Sequence, residues 1–197
     1  SSGWWNLLFL EIVSIEEIIV KKRVLKKSFE YGVPQWISNI SLISGSKQDL
    51  FCLVKKQNAW KIEHYKDLCL KQTINLPFTC LRDLHASSKN IIFKASNFDR
   101  KEELIELDLN NKNQLKILKD NCSEIIPKQF SIPESFWFEG YEKKLTHSWI
   151  YKPLINKFKL PPLIVKAHSG PTDYFNGSLN MEVQFWNSRG WLVAEVN

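Results

Sequence analysis

The chain has 197 residues, a length typical of one or two domains, and carries a formal net charge of +6. Its hydrophobic fraction of 44% and charged fraction of 24% are ordinary for a folded soluble protein, which excludes a wholly disordered chain. No apolar run approaches the roughly 20 residues of a membrane helix, and we find no signal peptide, so we expect no membrane association.

The first strand-like segment is WWNLLFLEIV, residues 4–13, and a dense basic cluster, KKRVLKK, follows at residues 21–27. This cluster fits either a nucleic-acid patch or a strand edge that lysines protect from aggregation. No RNA-binding or zinc signature supports the first interpretation, so we expect no nucleic-acid partner.

Short strand-like runs continue to about residue 120. Runs of five to eight residues, separated by polar or Gly-containing turns, predict antiparallel sheet. In chain order these runs are ISLIS, DLFCLVKK, AWKIEHY, LCLKQTI, CLRDLHAS, NIIFKASN, LIELDL and LKILKD.

A weak internal repeat lies within these strands. DLFCLVKKQNAWKIEHY starts at Asp49, and NIIFKASNFDRKEELIELDL starts 41 positions later at Asn90. Four strands with a period of roughly 40–45 residues match a propeller blade, and a generic β-meander is the alternative. On the propeller interpretation, residues 32–75 and 76–120 are two blades, and residues 1–31 are the outer strands of a third.

The character of the sequence changes after Asn121, where Pro127, Pro133 and Pro153 accompany a crossover into a new domain. We place the boundary between residues 125 and 126. The second domain is expected to begin with a hairpin formed by SFWFEG and LTHSWIYKP.

The C-terminal part of the sequence predicts a strand, a helix and a second strand. The first strand covers 163–168, and the helix lies within 179–189 with Met181, Phe185 and Trp186 facing the sheet. Gly190 stands where a helix end favours positive φ. WLVAEV is a continuous apolar run, as expected for a strand covered on both faces. This order is typical of the start of an α/β domain.

The cysteines and histidines do not predict a metal site. Cys52, Cys69, Cys80 and Cys122 are widely spaced without a C-x-x-C pair, and the histidines have no metal-ligand spacing. We therefore expect no metal site, and free thiols in a reducing compartment, as in a cytoplasmic protein.

Several segments, in order, resemble the prolyl oligopeptidase family of serine peptidases, and most closely its acylaminoacyl-peptidase and dipeptidyl-peptidase branch. They are SGWWNL (2–7), PQW (34–36), LPFT (76–79), SIPESFWF (131–138), LPPLIVKAHSGPT (160–172) and LNMEVQFWNSRGWLVAEVN (179–197). The resemblance implies a mostly β fold with an α/β part. A partial β-propeller of about two and a half blades (residues 1–125) would precede the first strands and helix of an α/β-hydrolase domain (residues 126–197).

The resemblance also implies where the catalytic residues lie. The α/β-hydrolases carry their triad in the order Ser, Asp, His, with the Ser in a G-x-S-x-G motif. This sequence contains no G-x-S-x-G. We therefore expect a fragment with no catalytic residue of its own, whose triad would follow Asn197.

The loop His168-Ser169-Gly170-Pro171 resembles the family's His-Gly-Gly-Pro. By that resemblance it is the oxyanion-hole loop, and the N–H of Gly170 would stabilise the tetrahedral intermediate of acyl transfer. An ordinary Ser-Gly-Pro turn is the alternative. Ser169 replaces the family's first Gly, which would strain the loop if that position requires positive φ. His168 precedes any nucleophile in the chain, so a structural role is expected for it rather than that of a general base.

The function that the resemblance implies is therefore serine-type hydrolysis of short peptides through an acyl-enzyme, without a metal or organic cofactor and with this chain inactive alone. The alternative is a non-catalytic propeller-containing remnant or a protein-interaction module. The sequence gives no indication of the oligomeric state.

Overall fold

The structure is a computed structural model that describes residues 4–12, 20–24, 27–33, 37, 40–45, 48–56, 59–119, 129–170 and 173–197. The chain divides into two compact units. The first unit consists of Ser1–Ala95 and Leu104–Lys119, and the second consists of Ser96–Glu103 and Asp120–Asn197. The boundary predicted between residues 125 and 126 lies outside the described residues.

Ten strands form three antiparallel sheets in the first part of the described chain. A two-stranded sheet precedes two four-stranded sheets, and the strands of each follow one another in sequence order. The strands are β1 (Leu8–Ile12) and β2 (Val20–Val24); β3 (Ile43–Gly45), β4 (Asp49–Lys56), β5 (Ala59–Lys66) and β6 (Cys69–Asn75); and β7 (Cys80–Ala86), β8 (Asn90–Asn97), β9 (Arg100–Asp108) and β10 (Gln114–Lys119).

The predicted repeat corresponds to these two four-stranded sheets. Strands β4 and β8, which begin the two related sequence blocks, occupy the second position of their sheets. The turn between β5 and β6 has positive φ at Asp67 (47°) and Leu68 (64°), the backbone that a tight two-residue hairpin requires. A shared core holds the sheets together, with Leu53, Ile62 and Phe93 each fully buried.

The second unit contains one four-stranded sheet with the order β11-β12-β14-β13. Its elements are β11 (Glu134–Glu139), a short 3-10 turn (Tyr141–Lys143), β12 (Leu145–Tyr151), β13 (Leu163–Ala167), helix α1 (Met181–Asn187) and β14 (Leu192–Val196). Strands β11 and β12 form the predicted hairpin. Strand β14 is antiparallel to β12 and parallel to β13, which confirms that the predicted strand–helix–strand segment forms one sheet.

Both ends of α1 follow from its sequence. The side chain of Asn180 accepts hydrogen bonds from the N–H groups of Glu182 and Val183 and so caps the N-terminus. Gly190 adopts φ +89° just beyond the C-terminus, as predicted, and its N–H donates to the carbonyl of Asn187.

The prediction for the face of α1 that packs on the sheet is correct only for Trp186, which is partly buried against the core cluster of Tyr151, Val183 and Val193. Met181 and Phe185 are instead 41% and 47% exposed, and the buried residues of α1 are Val183, Gln184 and Asn187. Gln184 and Asn187 are buried because their amide groups form hydrogen bonds with backbone groups of Ser131, Tyr151 and Trp191. Buried polar groups need such partners, and a hydrophobic pattern does not reveal them.

Candidate functional site

The parallel pairing of β13 and β14 brings two chain segments to one edge of the sheet. Leu163 pairs with Leu192 and Ala167 with Val196, so both strands have their carboxyl ends at the same edge. His168, Ser169 and Gly170 follow one strand, and Asn197 follows the other. This edge is where open α/β sheets bind their ligands.

Gly170 has the backbone conformation of a specialised loop residue. Its φ is +69°, in the left-handed region that favours glycine. A Cβ added at Gly170 would meet nothing within 4 Å, so backbone conformation, and not crowding, accounts for glycine here. Gly170 is exposed, and its N–H has no hydrogen-bond partner among the residues that the structure describes.

Ser169 does not have the positive φ that would strain the backbone of a serine. Positive φ occurs at seven non-glycine positions of the described chain, and Ser169 is not one of them. Its hydroxyl donates to Oδ2 of Asp173 at 3.3 Å. A serine is therefore compatible with the backbone at position 169, which does not need glycine.

His168 and Pro171 complete the predicted loop. Nδ1 of His168 lies 3.4 Å from the carbonyl oxygen of Ser169, and no carboxylate partner of its ring is found among the described residues. This contact suits a loop residue and provides no orienting acid for a general base. Pro171 lies outside the described residues.

Segment 173–180, here called the linking segment, joins the loop to α1, and Asn197 holds it at the sheet edge. The N–H of Phe175 donates to Oδ1 of Asn197 at 2.7 Å. Nδ2 of Asn197 lies 2.9 Å from Nδ1 of His147, and the Asn197 N–H donates to the His147 carbonyl at 2.9 Å. Asn197, directly after β14, thereby connects the linking segment to His147 in β12.

Glu195 makes a second connection between β14 and the linking segment. This carboxylate is 2% exposed and accepts hydrogen bonds from Nδ2 of Asn180 at 3.2 Å and from the hydroxyl of Tyr151 at 3.3 Å. Nζ of Lys166 lies 3.8 Å from Oε1 of Glu195. Burial raises the pKa of Glu195, and the charge of Lys166 partly offsets that rise. Burial also raises the pKa of Tyr151, so its hydroxyl stays a donor at neutral pH.

The first unit has buried polar groups that are already satisfied by one another. The hydroxyls of Tyr31 and Tyr65 donate to one oxygen of Glu63, at 2.5 and 2.6 Å. His64 contacts Asp49 at 2.7 Å and stacks on Phe51. The Glu63 cluster lies in the core of the first unit, whereas the His64–Asp49 pair is partly exposed, and neither group includes a serine, threonine or cysteine.

The described residues contain no group of three or more His, Cys, Asp or Glu side chains arranged to hold a metal ion. Of the four cysteines, the three within the described residues, Cys52, Cys69 and Cys80, are free. Burial raises the pKa of Cys52 to about 12, so this thiol is inert at neutral pH. No described helix is both long enough and apolar enough to cross a membrane.

Comparison with solved structures defines the fold. Puromycin hydrolase matches 100% of this chain and 30% of its own chain, with a TM-score of 0.82 and 22% identity. Prolyl oligopeptidase B from Galerina marginata matches 97% of this chain and 27% of its own, with a TM-score of 0.73 and 12% identity. Acylaminoacyl peptidase from Pyrococcus horikoshii matches 80% of this chain and 25% of its own, with a TM-score of 0.64 and 19% identity.

No protein-family model matches the sequence, and no curated protein matches it either. The structural matches confirm the prolyl oligopeptidase resemblance at the level of the fold. The antiparallel sheets are consistent with the propeller-like part of these enzymes. The chain spans less than a third of the length of the solved chains.

Sequence reasoning identified the loop but missed the residues that hold its linking segment. His147 is 6% exposed, and both of its ring nitrogens are in contact with side chains. Its connection to Asn197 joins positions 50 residues apart. No local pattern predicts such a pair.

Proposed function

We propose that the chain is a portion of a serine-type peptidase of the prolyl oligopeptidase family, which hydrolyses short peptides through an acyl-enzyme. Residues 1–125 would form the C-terminal part of its β-propeller, and residues 126–197 the N-terminal part of its α/β-hydrolase domain. The observation that carries the proposal is the match of 99% of the chain to a puromycin-hydrolyzing peptidase at a TM-score of 0.80.

The local geometry supports a role for Gly170 as an oxyanion-hole donor. In α/β-hydrolases the loop after the third strand supplies one N–H of the oxyanion hole. Gly170 follows β13, the third strand in chain order of the β11-β12-β14-β13 sheet, in the left-handed conformation, and its N–H has no partner within the described residues. An unpaired backbone donor at the carboxyl edge of a parallel strand pair is suited to bind a developing oxyanion.

In this proposal the Ser, Asp and His of the triad lie outside the 197 residues, and catalysis needs neither a metal nor an organic cofactor. Free thiols at Cys52, Cys69 and Cys80 support a cytoplasmic location, because such thiols persist in a reducing compartment. A short peptide is the proposed substrate. The puromycin, acylaminoacyl and prolyl specificities of the structural neighbours are the three substrate classes to try.

A fluorophosphonate serine probe tests the proposal. We expect no covalent labelling of the 197-residue chain and no turnover of puromycin or of acylaminoacyl and prolyl chromogenic substrates. A longer chain, encoded by continuing the same reading frame beyond Asn197, should be labelled at the Ser of a G-x-S-x-G motif.

The 197-residue chain serves as the matched control for the longer one. Labelling of a Ser within residues 1–197 would contradict the proposal. An open reading frame that continues without G-x-S-x-G, or a folded longer chain that the probe does not label, would favour the non-catalytic interaction module instead.

A further inference from the structure

Ser135, His147 and Asn197 form a chain of hydrogen bonds next to the candidate oxyanion loop. Nε2 of His147 lies 3.0 Å from Oγ of Ser135, and Nδ1 lies 2.9 Å from Nδ2 of Asn197. The ring lies between Trp137 and Trp149, with centroid distances of 4.8 and 4.6 Å. In outline, the three residues resemble a catalytic Ser-His-Asn arrangement.

The proton positions exclude that role. The N–H of Phe175 can only donate, so the Asn197 atom facing it at 2.7 Å is the carbonyl oxygen. The amide nitrogen of Asn197 therefore faces His147 and donates to Nδ1. With Nδ1 as an acceptor, the neutral imidazole carries its proton on Nε2 and donates to Ser135. His147 in this state cannot remove a proton from Ser135.

We propose instead that His147 and Asn197 act as a positioning clamp for the linking segment and, through it, for the loop at Gly170. His147 fixes the rotamer of Asn197, and Asn197 then accepts from Phe175. Only seven residues, His168 to Tyr174, separate β13 from Phe175, so holding Phe175 limits the conformations that this loop can adopt. The catalytic consequence of the clamp rests on the proposed function, but the clamp itself does not.

The Glu195 connection supports this assignment independently. Asn180 uses its carbonyl oxygen to cap α1 and its amide nitrogen to contact Glu195. The linking segment is therefore held near both of its ends by side chains from one strand end, Glu195 and Asn197. Two side-chain hydrogen bonds within six residues, one at Phe175 and one at Asn180, restrict the conformation of the linking segment.

The first test is the tautomer of His147 in the unmodified 197-residue chain, read from the NMR shifts of its imidazole nitrogens. We expect Nε2 protonated and Nδ1 unprotonated. The reverse tautomer would overturn the proposal, because Asn197 would then have to present its oxygen to His147 and its amino group to the Phe175 N–H.

The second test compares two substitutions at one position. His147→Asn keeps an acceptor oxygen close to the position of Nδ1, whereas His147→Phe keeps an aromatic ring between Trp137 and Trp149 but has no acceptor. We expect hydrogen exchange of the Phe175 amide to accelerate about fivefold or more in His147→Phe, and by less than about twofold in His147→Asn. The amide resonance of Gly170 should shift only in His147→Phe.

Any other combination of Phe175 exchange rates in the two variants would overturn the clamp proposal. Faster exchange in His147→Asn but not in His147→Phe would assign the effect to ring packing, and equal acceleration in both would assign it to general loosening. No change in either would show that Asn197 holds Phe175 without His147. None of these measurements needs catalysis, so an inactive longer chain would contradict the peptidase proposal and leave the clamp standing, and the converse also holds.

Discussion

At the residue scale, Glu195 shows how burial and pairing oppose each other at this sheet edge. The carboxylate has two hydrogen-bond donors and a lysine nearby, yet its pKa is raised because loss of hydration outweighs these partners. Its charged form is therefore less favourable in the folded chain than in the unfolded chain, where an unperturbed Glu has a pKa of about 4.3. Its contribution to stability should fall as pH rises through and above that value.

We expect Glu195→Gln to be at least as stable as the parent chain at pH 7, because the amide keeps an acceptor for Asn180 without a buried charge. The stability difference in favour of Glu195→Gln should grow as pH rises from about 4 toward the raised folded-state pKa and should vanish below about pH 4. Denaturant unfolding across this pH range measures the difference.

Glu182→Gln is the matched control for that series. Glu182 pairs with the same lysine, Lys166, at 3.0 Å, but its side chain is 64% exposed. Because an exposed ion pair contributes little to stability, the free energy of unfolding of Glu182→Gln should differ from that of the parent chain by no more than about 1 kcal/mol at any pH. A Glu195→Gln chain that loses stability relative to the parent as pH rises would contradict the account of Glu195.

At the element scale, α1 depends on specific residues at its two ends more than on its seven-residue length. A helix this short is not stable alone and needs its caps and its packing on β14. Gly190 ends the helix at φ +89°, and a Cβ there would lie 2.8 Å from Cβ of Lys157. Gly190 is therefore constrained both by backbone conformation and by space.

We expect Gly190→Ala to lower the free energy of unfolding by about 2 kcal/mol or more, through left-handed strain and this contact. Gly170→Ala is the internal comparison, because φ is +69° there but an added Cβ meets nothing within 4 Å. Gly170→Ala should lower the free energy of unfolding by only about 1 kcal/mol. Thermal and denaturant unfolding of both variants provides the measurement, and equal costs would show that crowding at Lys157 is relieved without penalty.

At the scale of the whole molecule, the sequence predicted what depends on local pattern. Alternating apolar residues and turn residues were sufficient for the antiparallel strands and for the repeat at Asp49 and Asn90. The apolar runs on either side of a helical segment were sufficient for the parallel pair β13 and β14. The resemblance then led to the loop at Gly170. In the structure Gly170 adopts the left-handed backbone conformation.

The remaining features depend on contacts between distant residues. Gln184 and Asn187 are buried because backbone groups of Ser131 and Tyr151, 53 and 36 positions away, need partners. A helical pattern places such amides in solvent, which is why the buried face of α1 was predicted correctly only for Trp186. The clamp of His147 and Asn197 was missed for the same reason, since it forms only after β12 and β14 have paired.

The most direct test of the central claim is the kinetics of Gly170→Val in the proposed longer chain that would carry the triad. If the Gly170 N–H binds the oxyanion, a β-branched residue should displace it and lower kcat on the order of 10²-fold while KM changes little, since the interaction forms in the transition state. Ser169→Gly, at the neighbouring position without positive φ, should leave kcat unchanged or raise it. A Gly170→Val enzyme with unchanged kcat, or with an effect confined to KM, would contradict the oxyanion assignment.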